Sequence, residues 1–196
     1  MAENTTATGT GSLGMMRIDL QESLRQSSLD PRQLSSFQRI LLTTDGTVTE
    51  ILEAQVWETI QIVKLYQDLI ETDASIPYLD IGPQSPALIR KVLLRGKSSH
   101  KNYIYAESIV ARDRLDERML HGLTETQKPV GLLMLEMRLE TYREILTCKL
   151  EPAAEIGQYF DIPPEANLIS RTYRVFANEQ PFLLITEKFP ETAFRD

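Results

Sequence analysis

Two runs with the period-two spacing of β-strands each carry a charged side chain on their apolar face, so the fold must accommodate both charges inside. In Ala87-Leu88-Ile89-Arg90-Lys91-Val92-Leu93-Leu94, Arg90 shares a side with Leu88, Val92 and Leu94. In Phe182-Leu183-Leu184-Ile185-Thr186-Glu187-Lys188-Phe189, Glu187 shares a side with Leu183, Ile185 and Phe189. An ion in an apolar interior must find a partner, change its protonation or bind a ligand of opposite charge. Two readings are open. One is a structural ion pair between Arg90 and Glu187. The other is a closed pocket for a small molecule with a carboxylate at one end and a hydroxyl at the other. The planar fork of arginine suits the carboxylate, and a glutamate shielded from water suits the hydroxyl, as hydrogen-bond acceptor or donor.

Composition narrows the ligand. The net charge of −7 argues against a nucleic-acid partner and gives no long-range attraction to an acidic ligand, so any bound anion depends on local groups such as Arg90. Two isolated histidines, His100 and His121, and the single Cys148 make neither a zinc cluster nor an intrachain disulfide. Residues 1–14 are polar, with no apolar signal core, and no window reaches the length of a membrane span. A cytoplasmic protein is expected, with a flexible tail over residues 1–16 and one domain over 17–196. No heptad seam calls for assembly, and a monomer is expected.

Asp30 and Pro31 read as the cap and first position of a helix carrying Leu34, Phe37, Ile40 and Leu41. Thr47-Val48-Thr49-Glu50 is a capping-box pattern opening a second helix with Ile51, Leu52 and Val56. A first strand is expected between Thr59 and Leu69, then a loop from Asp73 to Pro86. Ile89 to Arg95 and Tyr103 to Val110 read as a hairpin. Helical segments follow near Asp116 to Leu123 and after Lys128-Pro129-Val130-Gly131. A strand runs from Arg138 to Leu150, then a short helix around Ala153 to Phe160. A last hairpin pairs Leu168 to Phe176 with Pro181 to Phe189, turning at Asn178-Glu179. The pattern predicts an α+β fold, an antiparallel sheet with helices packed mainly on one side. Trp57 and the run Leu132 to Leu135 are expected in the core, as is Cys148. His100 and His121 are expected on the surface, and Arg112 to Arg118 as a solvated face.

Four motifs in order resemble the chorismate pyruvate-lyases (4-hydroxybenzoate synthases). They are Leu41-Leu42-Thr43-Thr44-Asp45-Gly46 leading into a helix, Ile89-Arg90-Lys91-Val92-Leu93-Leu94, Lys128-Pro129-Val130-Gly131, and Leu184-Ile185-Thr186-Glu187-Lys188-Phe189-Pro190. The resemblance covers roughly Leu34 to Pro190, most of the chain. The resemblance implies elimination of pyruvate from chorismate to give 4-hydroxybenzoate, with no metal or redox cofactor. In many relatives that product feeds a quinone; for this chain a quinone or another phenolic product is left open. It further implies that Arg90 binds the ring carboxylate with the backbone amides of Val130 and of Thr47 or Val48, and that Glu187 bonds the 4-hydroxyl. Arg90 and Glu187 are then the catalytic pair. Both backbone positions fall at expected helix starts, where free N–H groups favour an anion. The helices flanking Gly46 and the segment from Lys128 to Gly131 are the candidate flaps. Where the best-known branch has a basic residue, this chain has Ser108.

The same fold is similar to the effector-binding (UTRA) domains of GntR-type transcription regulators, which leaves a non-catalytic sensor of aromatic carboxylates as the alternative. Such regulators carry a basic winged helix-turn-helix ahead of the sensor, and residues 1–50 do not match one.

Overall fold

The computed structural model describes residues 18–26 and 29–195, so the expected tail over 1–16 lies outside the described residues. Five α-helices and six strands follow in the order α1 (Ile18–Gln26), α2 (Ser36–Thr43), α3 (Val48–Val56), β1 (Ile60–Glu71), β2 (Pro86–Gly96), β3 (Asn102–Ala111), α4 (Glu117–Glu125), α5 (Val130–Glu136), β4 (Thr141–Pro152), β5 (Asn167–Ala177) and β6 (Gln180–Pro190). The strands form one antiparallel sheet in the order β1-β2-β3-β6-β5-β4.

The register shows why the helices gather on one face. Rows of paired residues such as Leu88–Val110–Leu183–Val175 and Leu94–Ile104 join the apolar core with Leu41, Leu42 and Leu52 from α2 and α3 and Met119, Leu123, Leu133 and Met134 from α4 and α5. Midway between these two rows, at odd spacing from both, the opposite face carries Lys91–Glu107–Thr186–Thr172–Thr147. Such a row is content in water. Polar links fix the helices where apolar contact alone would let them slide. Buried Gln38 donates from Nε2 to the carbonyls of Glu191 (2.8 Å) and Ala193 (2.7 Å) while its Oε1 accepts from Ser35 N (3.0 Å). At the β4 edge the Cys148 N–H donates to Ser23 Oγ, so α1 covers backbone that a free edge would expose.

Turns follow their local chemistry. Asn178 and Glu179 both take positive φ (50° and 64°), the geometry of a two-residue hairpin loop. In the β2–β3 connection the Glu58 carboxylate accepts from the amides of Ser98 and Ser99, from Ser99 Oγ and from Tyr103 Oη. A Cβ on Gly96 would stand 2.3 Å from Glu58 Oε1, so only glycine leaves room for that carboxylate.

Several expectations are corrected. The helix expected from Pro31 is split: Pro31–Gln33 is a single 3₁₀ turn, Leu34 is extended, and α2 starts afresh from Ser35, whose hydroxyl and Gln38 form a reciprocal capping box. Thr47 does precede α3, but its side chain makes no capping bond. Trp57 is 91% exposed, because it closes α3 in the left-handed conformation (φ 57°) and its ring swings into solvent. Of the run 132–135, Leu133 and Met134 are buried while Leu135 is exposed on the far side of α5. The strand expected from Arg138 begins at Thr141, since Arg138 has φ 52° just past α5. Arg114 is not simply solvated: its guanidinium donates to the carbonyls of Leu79, Asp80 and Pro181. Cys148 is buried, and His100 and His121 are exposed, as expected.

Candidate active site

All six strands and two helix starts wall one cavity with about 610 Å³ of empty space, part of it open to solvent. Arg90, Glu187, Thr47, Val48 and Val130 all line it. The sheet supplies the floor through alternate residues: Arg90, Val92 and Leu94 of β2, Ala106 and Ser108 of β3, Ile185 and Glu187 of β6. The roof comes from the starts of α3 and α5, which meet closely: a Cβ on Gly131 would lie 2.9 Å from Thr47 Cγ2. No side chain caps either start. The first-turn N–H groups at Val48 and Val130 have no acceptor within their own helices.

Arg90 and Glu187 do not pair. Strand β3 lies between their strands: Arg90 is level with Ser108, and Glu187 with Ala106 two residues away. Two strand spacings and one two-residue step put their Cα atoms on the order of 12 Å apart. Each end is therefore built separately. Arg90 is 4% exposed, and its Nε donates to Gln67 Oε1 at 3.2 Å. Its Nη2 is buried with no hydrogen-bond partner among the described residues. Burial pushes its pKa below the ordinary arginine value. The Gln67 amide is oriented by its own Nε2, which donates to the carbonyl of Thr124 at the end of α4 (3.2 Å). Lys64 Nζ reaches the same carbonyl at 2.7 Å.

Glu187 is not an isolated glutamate in an apolar wall. Its Oε2 accepts from Arg171 Nη2 (2.8 Å) and its Oε1 from Tyr173 Oη (3.1 Å). Arg171 is 2% exposed, lies over the Tyr173 ring (4.6 Å to the centroid), and donates from Nη1 to the carbonyl of Thr44 (2.8 Å). Burial is the largest influence and opposes the Arg171 charge, but the Glu187 carboxylate together with Tyr173 and Cys148 raises the pKa above the ordinary arginine value. Burial, then the Glu187 charge, push the Tyr173 hydroxyl well above the ordinary tyrosine range, so it stays a donor. Arg143 also lines the cavity and donates from Nη1 to the carbonyl of Gly46 (3.0 Å). Arginines from β5 and β4 thus hold two carbonyls of the segment before α3, and that segment presents Thr47 and Val48 to the cavity.

Sequence reading missed Gln67, Arg143, Arg171 and Tyr173. Arg171 and Tyr173 carried a signal, since Arg171 shares parity with Ile169, Tyr173 and Val175 just as Arg90 does with its neighbours. Gln67 carried none. A bulge between Lys64 and Tyr66 shifts β1 by one residue, so Gln67 rather than Tyr66 sits opposite Arg90. Among the described residues no group of three or more His, Cys, Asp or Glu could hold a metal ion, and no helix is long and apolar enough to cross a membrane.

A one-faced antiparallel sheet with a ligand-sized cavity under its helices defines an α+β fold built around a small-molecule pocket. Its likeness to PhnF from Mycobacterium smegmatis shows that fold: a TM-score of 0.60 at 11% identity, covering 75% of this chain and 64% of that one. The effector domain of PhnF alone aligns with a TM-score of 0.59 over 74% of this chain and 88% of that one. The sequence model of the Rv2949c-like chorismate pyruvate-lyases matches residues 42–195. The chorismate pyruvate-lyase of Mycobacterium leprae is 34% identical over 172 residues, 84% of this chain and 79% of that protein. That of Mycobacterium tuberculosis (strain H37Rv) is 30% identical over 183 residues, 87% of each. The chain belongs to the Rv2949c-like chorismate pyruvate-lyase family.

Proposed function

We propose that this cavity eliminates pyruvate from chorismate to leave 4-hydroxybenzoate. The observation that carries the reading is the buried Arg90 guanidinium, its Nη2 unpartnered among the described residues, facing a cavity whose other end is Glu187. Arg90 and the amides of Val130 and of Thr47 or Val48 bind the ring carboxylate, an anion matched by one cation and two helix starts. Glu187, held by Arg171 and Tyr173, accepts a hydrogen bond from the C4 hydroxyl and sets the ring in its plane. In the reaction the C3–O ether bond breaks, the C4 hydrogen leaves and the ring becomes aromatic. The enolpyruvyl fragment gains a hydrogen at its methylene and departs as pyruvate. That hydrogen has two routes, through Glu187 or directly from C4, and they are told apart by deuterium from solvent in the pyruvate methyl group.

Atoms balance without an added oxidant or reductant, which supports a cofactor-independent lyase. The ring carboxylate and hydroxyl persist in the product, so the same contacts hold it and release limits turnover, with the starts of α3 and α5 as the flaps. The net charge of −7 supports a small-molecule partner and no nucleic acid. The reading is completed by a monomeric, cytoplasmic protein with one domain over residues 17–196 behind a tail at 1–16.

The test is incubation of the purified protein with chorismate, following pyruvate by a coupled assay and 4-hydroxybenzoate by chromatography. Equal amounts of both, lost in Arg90→Ala, are expected. No product from the unaltered protein, with thermal stabilisation by 4-hydroxybenzoate, would overturn the lyase in favour of a sensing module.

A further inference from the structure

Resting on the lyase reading, we propose that Arg143 binds the second carboxylate of chorismate, the one on the enolpyruvyl group, and thereby distinguishes substrate from product. Chorismate carries two carboxylates and 4-hydroxybenzoate one. The enolpyruvyl ether stands on C3, next to the C4 hydroxyl, so its carboxylate lies towards the Glu187 end of the cavity and away from Arg90. Arg143 is at that end: its guanidinium is 6.0 Å from the centroid of the Tyr173 ring, and Tyr173 Oη donates to Glu187.

The other polar groups nearby fit the role less well. Arg171 is engaged with Glu187 and with the Thr44 carbonyl and is nearly inaccessible. Ser108 lines the cavity but has no charge. Arginine and lysine side chains lining the cavity are Arg90 and Arg143, one for each carboxylate of the substrate. The bond from Arg143 Nη1 to the Gly46 carbonyl fixes the guanidinium at the enolpyruvyl end of the cavity. The segment before α3 has a second hold in the bond from Arg171 Nη1 to the Thr44 carbonyl, so the ring-carboxylate site keeps its support when Arg143 is replaced.

The experiment compares the unaltered protein with Arg143→Gln in steady-state chorismate kinetics and in calorimetric binding of 4-hydroxybenzoate. Loss of a charge-assisted contact made only by chorismate is expected to lower kcat/KM by about tenfold or more, chiefly through KM. The Kd for 4-hydroxybenzoate is expected to stay within about twofold, since the product has no second carboxylate. Arg143→Lys, which keeps a cation, is expected to fall between the two and serves as the test if the glutamine variant does not fold. Unchanged chorismate kinetics would overturn the proposal. So would an equal loss for product, because a mere tether of the Gly46 segment would weaken the ring-carboxylate site for both ligands. Absence of turnover in the unaltered protein would instead remove the lyase reading on which the proposal rests.

Discussion

At one end of the cavity the Arg90 guanidinium has a neutral neighbour, Gln67, and a buried Nη2 without a partner among the described residues; at the other, the Glu187 carboxylate is held by Arg171 and Tyr173. Both ends hold a charge largely out of water, Arg90 buried and the Glu187 side chain 12% exposed, but they handle its desolvation in opposite ways. The Glu187 end is satisfied by the protein itself and is therefore a rigid fixture of the fold. The Arg90 end leaves its electrostatic need for a ligand to meet, so binding strength concentrates there. A protein that neutralised Arg90 with its own carboxylate would be more stable and would compete with its substrate.

If that contrast holds, the largest effect on stability belongs to Arg171→Met. Removing one member of a buried pair leaves Glu187 uncompensated and should cost about 3–5 kcal/mol in urea unfolding. Arg90→Met should cost less than about 1 kcal/mol, or stabilise, while weakening 4-hydroxybenzoate binding by about 2–5 kcal/mol in calorimetry. Equal destabilisation by the two variants would break the comparison. Glu187→Gln keeps the shape and an acceptor, so turnover should fall by about a hundredfold while product affinity changes by less than about tenfold. Gln67→Leu frees the Nε of Arg90 and should raise KM by about fivefold to tenfold with little change in kcat. Gln67→Glu sharpens the point: its carboxylate pairs with Arg90 and should weaken the ligand more than the leucine does. Smallest is Trp57→Ala, within about 0.5 kcal/mol of the unaltered stability, since the ring is exposed and does not line the cavity.

Much of the fold was legible because its signals are local. Period-two runs located the paired strands, Asp116 capped α4 through its bond to Met119 N (2.7 Å), and Asn178-Glu179 marked the last turn. Local signals also misled. Pro31 predicts a helix start wherever the chain continues, yet Ser35 and Gln38 form a better one four residues on. Trp57 is apolar by type, but where its ring lies depends on the left-handed residue that ends α3.

Arg90 and Glu187 were visible as charges on apolar faces, because strand parity is a property of the chain alone. Which residue answers each charge was not, because partners lie across strands whose order and register no local pattern specifies. The position of β3 between β2 and β6 keeps Arg90 from Glu187. A bulge in β1 delivers Gln67 to Arg90, and pairing of β5 with β6 delivers Arg171 to Glu187. The sequence by itself determined that two charges lie on the apolar face of the sheet. Only the tertiary structure decided that one is satisfied and the other left for a ligand, since that choice depends on contacts between segments far apart in the chain.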